Sequence, residues 1–252
     1  MSSRIVLITG ANRGLGRNAA IHLARTGFDV IGTYHQNAAE ADAVADEIRA
    51  LGRTARMLRL DVADTASFPA FADAVRDALR ETWQREHFDA LINNAGTGLH
   101  APFAETTEEQ FDRLMNVHLK GVFFLTQRLL PLIADGGRIL NVSSGLARFA
   151  SPGASAYATM KGGVEVLTRY LAKELGPRKI AVNVIAPGAI ETDFNGGRVR
   201  DDHALNTLIA AQTALGRVGL PDDIGGAIAA ILSEGAGWIT AQRIEASGGM
   251  YL

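Results

Sequence analysis

Tyr157 and Lys161 stand four residues apart, and Ser144 lies thirteen residues before the tyrosine. On a helix, positions i and i+4 share a face, so this spacing sets an ammonium beside a phenol. A free phenol titrates near pH ~10, too high for proton exchange at neutral pH. A neighbouring cation favours the phenolate and lowers that value; a drop of roughly three units corresponds to about 4 kcal/mol. A serine hydroxyl close by would hold a carbonyl or alcohol oxygen during the same exchange. Together the three residue types suit acid/base interconversion of C=O and CH–OH. A Tyr–Lys pair is also an ordinary neighbour pair on a helix surface, so the rest of the chain has to decide between the two readings.

The elements that would position these residues alternate along the chain. Short β-branched runs at 4–9, 29–33, 54–60, 90–93, 138–142, 181–185 and 243–245 read as strands. Helical patterns lie between them near 14–26, 38–51, 65–84, 107–134, 154–176 and 221–233, with Leu125, Leu129 and Leu132 repeating at helix spacing. Most of the strands are nearly all apolar, as in a parallel sheet covered on both faces. The expectation is an α/β fold, a doubly wound parallel sheet of about seven strands with helices on both faces, forming one domain over 1–252. Two segments interrupt the alternation. Residues 81–87 are polar and extend the third helix. Residues 189–220 form a long connection with a short helical pattern near 204–213, as a substrate lid would.

Bulk properties narrow the function classes. The chain has 252 residues, 47% hydrophobic and 21% charged, with a net charge of −2. No run of one sign favours nucleic acid or an anionic membrane as a partner. There are no cysteines, which excludes disulfides and thiolate metal sites, and the six histidines form no close ligand cluster, so no metal is expected. Met1-Ser2-Ser3-Arg4 leads straight into Ile5-Val6-Leu7-Ile8, with no signal-like segment, and no stretch approaches the ~20 apolar residues of a membrane span. A cytoplasmic location is the default expectation.

The first strand runs into Gly10-Ala11-Asn12-Arg13-Gly14-Leu15-Gly16, followed by a helix. Glycines there let the backbone approach a pyrophosphate, and a helix N-terminus favours negative charge. The spacing is neither G-x-G-x-x-G nor a Walker A loop. This loop, then Asn93-Asn94-Ala95-Gly96, Ser144, Tyr157, Lys161 and Pro187-Gly188 in order, resembles the short-chain dehydrogenase/reductase family in its shorter subclass, including 3-oxoacyl-ACP reductase-like members. The likeness covers essentially the whole chain. It implies a Rossmann fold holding NAD or NADP at the C-terminal edge of the sheet. Gly10, Asn12, Arg13, Gly14, Leu15 and Gly16 would cradle phosphates, and Asp61-Val62 would meet the adenine, although an aspartate there also suits a helix cap. Asn93, Ala95 and Gly96 would support the sheet and pass the adenine ribose, while Pro187, Gly188, Ile190 and Thr192 would line the nicotinamide. In the catalytic group, Tyr157 would exchange the proton. Lys161 would lower the tyrosine pKa and bind the nicotinamide ribose, Ser144 (rather than Ser143) would hold the substrate oxygen, and Asn116 would hold a water linking Lys161 to solvent.

The cofactor choice rests on the end of strand two. An acid there would bind the ribose 2′-hydroxyl and repel a 2′-phosphate. Here the segment is Gly32-Thr33-Tyr34-His35-Gln36-Asn37, with no acid before Glu40. Arg13, Tyr34 and His35 could meet a phosphate. NADP(H) is therefore the expected cofactor, with NAD(H) possible. The expected partner is a small carbonyl or alcohol substrate held by 97–103, 146–153 and 189–213. Leu146, Ala147, Phe149 and Ala150 would form an apolar wall, with Arg148, Arg198 and Arg200 solvated or facing an anion. The resemblance also implies a homo-oligomer, tetramer or dimer. His118 is expected on a helix surface or interface. Ser247 departs from the aspartate common in the family. The alternative function is an NADP-binding sensor or scaffold without turnover, against which the intact Asn116, Ser144, Tyr157 and Lys161 argue.

Overall fold

The computed structural model describes residues 3–252; Met1 and Ser2, which open the N-terminal segment discussed above, lie outside the described residues. Its elements follow in the order β1 (Arg4–Ile8), α1 (Gly14–Arg25), β2 (Phe28–Tyr34), α2 (Ala38–Ala50), β3 (Ala55–Arg59), α3 (Phe68–Trp83), β4 (Phe88–Asn93), α4 (Glu108–Met115), α5 (Gly121–Leu129), β5 (Ile133–Val142), α6 (Ser155–Leu175), β6 (Ala181–Pro187), α7 (Arg198–Asp201), α8 (His203–Ala211), α9 (Pro221–Ile231) and β7 (Arg243–Ala246). The strands form one seven-stranded sheet in the order β3-β2-β1-β4-β5-β6-β7. Every neighbouring pair is parallel. The chain builds outward from β1 to β3, then crosses back to β4 on the other side of β1. That reversal opens a crevice beyond the carboxyl ends of β1 and β4, where ligands bind in open α/β sheets.

Alternation along the strands divides the core into two layers. Val6 and Ile8 pack with Ala19, Ala20 and Leu23 of α1, Val44 and Ile48 of α2, and Ile224 and Ile228 of α9. Ile5 and Leu7 face the opposite side, against Phe68, Val75 and Leu79 of α3, Leu125 and Leu129 of α5, and Leu175 of α6. With both faces covered, β1 from Ile5 to Ile8 is wholly buried, which is why its sequence is an unbroken apolar run.

Three local departures from the sequence expectations have physical causes. The helix expected over 107–134 is interrupted: α4 gives way at Asn116–Lys120 to a π-helical turn, closed by the Gly121 N–H donating to the Asn116 carbonyl, before α5 begins. Pro131 lies in a short 3-10 turn at Leu130–Leu132, and β5 starts at Ile133, earlier than the apolar run at 138–142 suggests. The third helix is preceded by a 3-10 turn at Thr65–Ser67. It ends at Trp83, where Gln84 takes a left-handed conformation (φ 51°). The polar 81–87 segment then folds back on the sheet. Trp83 Nε1 donates to Asp29 at 2.9 Å, and Arg85 grips both oxygens of Asp89 at 2.8 Å.

Candidate active site

The glycine loop is held in place by backbone and short polar side chains. Thr9 Oγ1 accepts from the N–H groups of Asn94 and Ala95 at 2.9 and 3.0 Å. Asn94 Nδ2 donates to the carbonyls of Thr9 and Gly10 at 2.9 and 3.1 Å, and the Gly10 N–H donates to Thr33 Oγ1 at 3.1 Å. These bonds tie the ends of β1, β2 and β4 together. The loop is so tightly folded that a Cβ on Gly16 would collide with the Gly10 carbonyl oxygen. Leu15 packs its side chain against the core. Helix α1 opens after Arg13 with no side-chain cap and no acid in its first turn. Its first N–H groups are thus free to meet an anion. A dinucleotide pyrophosphate fits this cradle, since glycines at 10, 14 and 16 leave backbone open to it and the uncapped helix end offers N–H groups to a diphosphate.

Around this loop the expected cofactor residues take varied positions. Arg13 is exposed and belongs to none of the ion pairs among the described residues. Asn12 Nδ2 donates to Glu40 at 2.8 Å, so the first acid after β2 does reach the loop, from the first turn of α2. Tyr34 ends β2 half-buried. His35 Nε2 lies 3.4 Å from Asp61. Asp61 also accepts from the Ala63 N–H at 2.9 Å, so it shapes the following turn as well. Beside them a depression of about 530 Å3 is lined by His35, Leu58, Asp61 and Phe71, beyond the ends of β2 and β3 and apart from Tyr157. Asn93 faces elsewhere: its buried amide donates to Thr126 Oγ1 at 2.9 Å and Asn141 Oδ1 at 2.8 Å, and Asn141 in turn donates to Thr168 Oγ1 at 2.9 Å. Its side chain braces α5, α6 and the sheet.

The residues expected from the sequence to exchange the proton lie where β5 passes into α6. Ser144 is extended (φ −159°), and its Oγ accepts from the Leu146 N–H at 3.2 Å, capping the turn Gly145–Ala147. The same hydroxyl also acts on the Tyr157 phenol, favouring its ionised form. Ser143 is instead turned inward and donates to Glu165 at 2.7 Å. Lys161 is buried on α6, one turn after Tyr157, and its Nζ donates to the Val142 carbonyl at 2.8 Å, 5.6 Å from the Tyr157 ring centroid. The π turn headed by Asn116 packs on α6. A Cβ on Gly121 would strike the Val62 carbonyl oxygen and sit 2.8 Å from the Asn116 carbonyl. Gly121 therefore lets the turn close against the end of β3. Pro187 is buried at the end of β6, the Gly188 N–H donates to the Ala246 carbonyl at 3.1 Å, and Ile190 pairs with Gly219. Thr192 is buried, with its Oγ1 accepting from the Phe194 N–H at 3.2 Å.

Burial dominates the electrostatics here, which corrects the simple picture of a lysine lowering a tyrosine. Tyr157 is half-buried, yet its hydroxyl lies deep enough that burial raises its pKa above the ordinary tyrosine value, with Ser144 acting the other way. Burial lowers Lys161 to about 8. The low-polarity surroundings disfavour both charged forms.

His118 also departs from expectation. It is 1% exposed and stands edge-on to Tyr157, with ring centroids 5.1 Å apart. Its Nε2 lies 2.7 Å from the Thr97 carbonyl. Burial and the nearby Lys161 lower its pKa to about 3, so it is neutral. A Cβ on Gly96 would sit 2.8 Å from its ring. Phe194 also stands near Tyr157, centroid to centroid 6.1 Å and half-exposed. Arg200 is paired with Asp193 and Asp201, and Arg148 with Glu245, while Arg198 is exposed. Thr9, Thr33, Asn94, His118, Gly121 and Phe194 carried no site role in the reading of the sequence. The doubled Asn93-Asn94 and a glycine five residues after Asn116 were the available signals.

Comparison with known proteins adds independent findings. The sequence model of a family described as enoyl-(acyl carrier protein) reductase matches residues 10–251. A 3-oxoacyl-[acyl-carrier-protein] reductase of Staphylococcus aureus is 35% identical over 253 residues, covering 99% of each chain. Among solved structures, the promiscuous reductase LugOII, which catalyses keto-reduction at C1 during lugdunomycin biosynthesis, superposes with a TM-score of 0.93 at 37% identity, covering 99% of this chain and 98% of its own. The landomycin C-6 ketoreductase LanV, solved with bound NADP and rabelomycin, gives a TM-score of 0.89 at 35% identity over 98% of this chain and 96% of its own.

Proposed function

The chain belongs to the short-chain dehydrogenase/reductase family of NAD(P)-dependent oxidoreductases acting on carbonyl and alcohol groups, and on that premise we propose that it is an NADPH-dependent ketoreductase with Tyr157 as its proton donor. The observation that carries this reading is the convergence of Tyr157, the buried Lys161 one turn later on α6 and the turn-capping Ser144 after β5, at the sheet edge where the uncapped helix α1 also opens.

When bound, the nicotinamide supplies or accepts the hydride. The chain's own residues do the rest. Gly10 to Gly16 and the α1 N-terminus hold the phosphates. Arg13, exposed and without a carboxylate partner, supports the 2′-phosphate form of the cofactor, and no acid at the end of β2 opposes it; NAD(H) remains usable without those contacts. Ser144, its backbone fixed by the capped turn, orients the substrate oxygen. Tyr157 donates its proton to that oxygen in reduction and accepts one in oxidation. A phenolate in so buried a place needs a neighbouring positive charge, and Lys161 supplies it while protonated. Asn116 begins the π turn packed on α6, a position suited to linking Lys161 to solvent.

The substrate we propose is a ketone carrying an aromatic ring. Phe194 stands 6.1 Å from Tyr157 and offers an aromatic face beside the proton donor, and LugOII and LanV are described as acting on ketones. Residues 189–220, including α7 and α8, act as the lid. The half-exposed Phe111, Phe123 and Phe124 of α4 and α5 and Tyr170 of α6 support association into a homo-oligomer, a dimer or tetramer, as sedimentation would register. The direct test is NADPH oxidation against polycyclic aromatic ketones, β-ketoacyl thioesters and simple ketones. Turnover of the aromatic ketones is expected. Tight NADPH binding with no turnover of any of them would instead favour a sensor or scaffold.

A further inference from the structure

Four charged side chains from three segments join behind Ser144. Glu165 of α6 accepts from Ser143 Oγ at 2.7 Å and from Arg243 Nε at 2.8 Å. Arg243, on β7, reaches Glu245 with Nη1 at 2.7 Å and the Ser144 carbonyl with Nη2 at 3.4 Å. Glu245 is gripped through both oxygens by Arg148, at 2.7 Å each, and also accepts from Ser247 Oγ at 2.8 Å. Arg148 then donates to the carbonyls of Met250 and Tyr251 at 2.7 and 3.1 Å. Those last residues are themselves fastened to the base of the lid, with the Leu215 N–H donating to Gly248, Ala214 to Gly249 and Tyr251 to Gln212.

Isolated surface ion pairs contribute little, but this set differs in arrangement. The signs alternate, Arg243 lies between two carboxylates, and Glu245 lies between two guanidiniums. The side chains of Glu165, Glu245 and Arg243 are 14%, 20% and 24% exposed. Bidentate, partly desolvated contacts of this kind fix geometry as well as adding energy. The hydrogen bonds from Arg148, against some opposing desolvation, hold the Glu245 carboxyl at about 2, so Glu245 stays charged throughout the neutral range.

We propose that Glu165, Arg243, Glu245 and Arg148 form a positioning network for Ser144, making the C-terminal residues a support of the active centre; the proposal rests on Ser144 holding the substrate oxygen. The network grips the segment from both sides of the serine, through the Ser143 hydroxyl and the Ser144 carbonyl on one side and Arg148 on the other. Its loss should let the Ser144 hydroxyl drift from the position it shares with Tyr157, lowering kcat while leaving cofactor binding alone.

The test is a double-mutant cycle in steady-state ketone reduction, with NADPH affinity read separately by fluorescence. Arg243→Leu is expected to lower kcat about tenfold with unchanged NADPH affinity, and to change it less than twofold when Ser144 is already alanine. Glu245→Gln, which keeps the shape but removes the charge, should do the same to a smaller extent and serves if Arg243→Leu does not fold. A kcat loss of equal size in the presence and absence of the serine hydroxyl overturns the proposal, as does wild-type kcat in both variants. If Ser144→Ala itself reduces the ketone at the wild-type rate, the role of the serine fails first and the network's role falls with it.

Discussion

The two sides of the crevice are built from different materials. On the glycine-loop side, backbone meets backbone and short side chains: Gly16 lies against Gly10, the Thr9 hydroxyl takes two amide N–H groups, and the Asn94 amide returns two bonds to the loop. On the substrate side, long side chains meet across the chain: Arg148 with Glu245, Arg243 with Glu165, and Phe194 near Tyr157. A backbone cradle tolerates almost no added atom, because nothing in it can rotate aside. A side-chain wall can change identity while the frame behind it stays fixed. The first suits a ligand that never changes, and the second suits a substrate that differs among relatives.

This contrast can be broken or sharpened by substitution. The largest effect belongs to the residue between the two sides: Tyr157→Phe should lower kcat by roughly 10²–10⁴-fold while NADPH affinity stays unchanged. Near-normal turnover would falsify its role as proton donor. Next, Gly16→Val should weaken NADPH binding by roughly a hundredfold, about 2.8 kcal/mol, in a fluorescence titration. Ordinary affinity would mean the cradle has more slack than its geometry allows. Third is a pH effect. Lys161 is buried with its pKa lowered to about 8, so it loses its charge as pH rises through that value. The kcat/KM for reduction should therefore fall above pH 8, approaching tenfold per pH unit, and a flat profile to pH 9.5 would remove the lysine charge from the mechanism. On the substrate side, Phe194→Ala should raise KM for an aromatic ketone about tenfold, in line with loss of aromatic burial, with NADPH affinity unaltered. A parallel loss of NADPH affinity would erase the division between the two sides. The smallest effect is expected of Arg13→Ala: about a fivefold fall in NADPH-over-NADH preference, since the side chain is exposed and screened.

The same contrast explains what was legible in the sequence. The strands and most helices follow from apolar periodicity, and the parallel sheet from runs such as Ile5–Ile8. The cofactor cradle is local, because glycines six residues apart and their neighbouring threonine fold on one another. The network behind Ser144 is not local: Glu165 and Arg243 are 78 positions apart, and Arg148 and Glu245 are 97 apart. Only the closed sheet brings them together, so Arg148 reads from sequence as a solvated residue. His118 was misread for a related reason. An unbroken helix over 107–134 would place it by simple periodicity, whereas the π turn redirects it inward beside Tyr157. The electrostatics of Tyr157 were illegible for want of burial, since a spacing of four residues gives proximity and no depth.

The π turn at Asn116–Lys120 also makes this stretch sensitive to chain length as much as to residue identity. Each α-helical residue turns the helix by about 100°, and a π turn accommodates one residue more than the α-helix around it needs. Removing a single residue between 116 and 120 would restore a regular helix and swing α5 by about that angle. Leu125 and Leu129, now buried, would rotate off the sheet, and a different set of side chains would face it. A one-residue deletion here is thus expected to do more damage than most substitutions, and families of variants made by substitution alone would never reveal it.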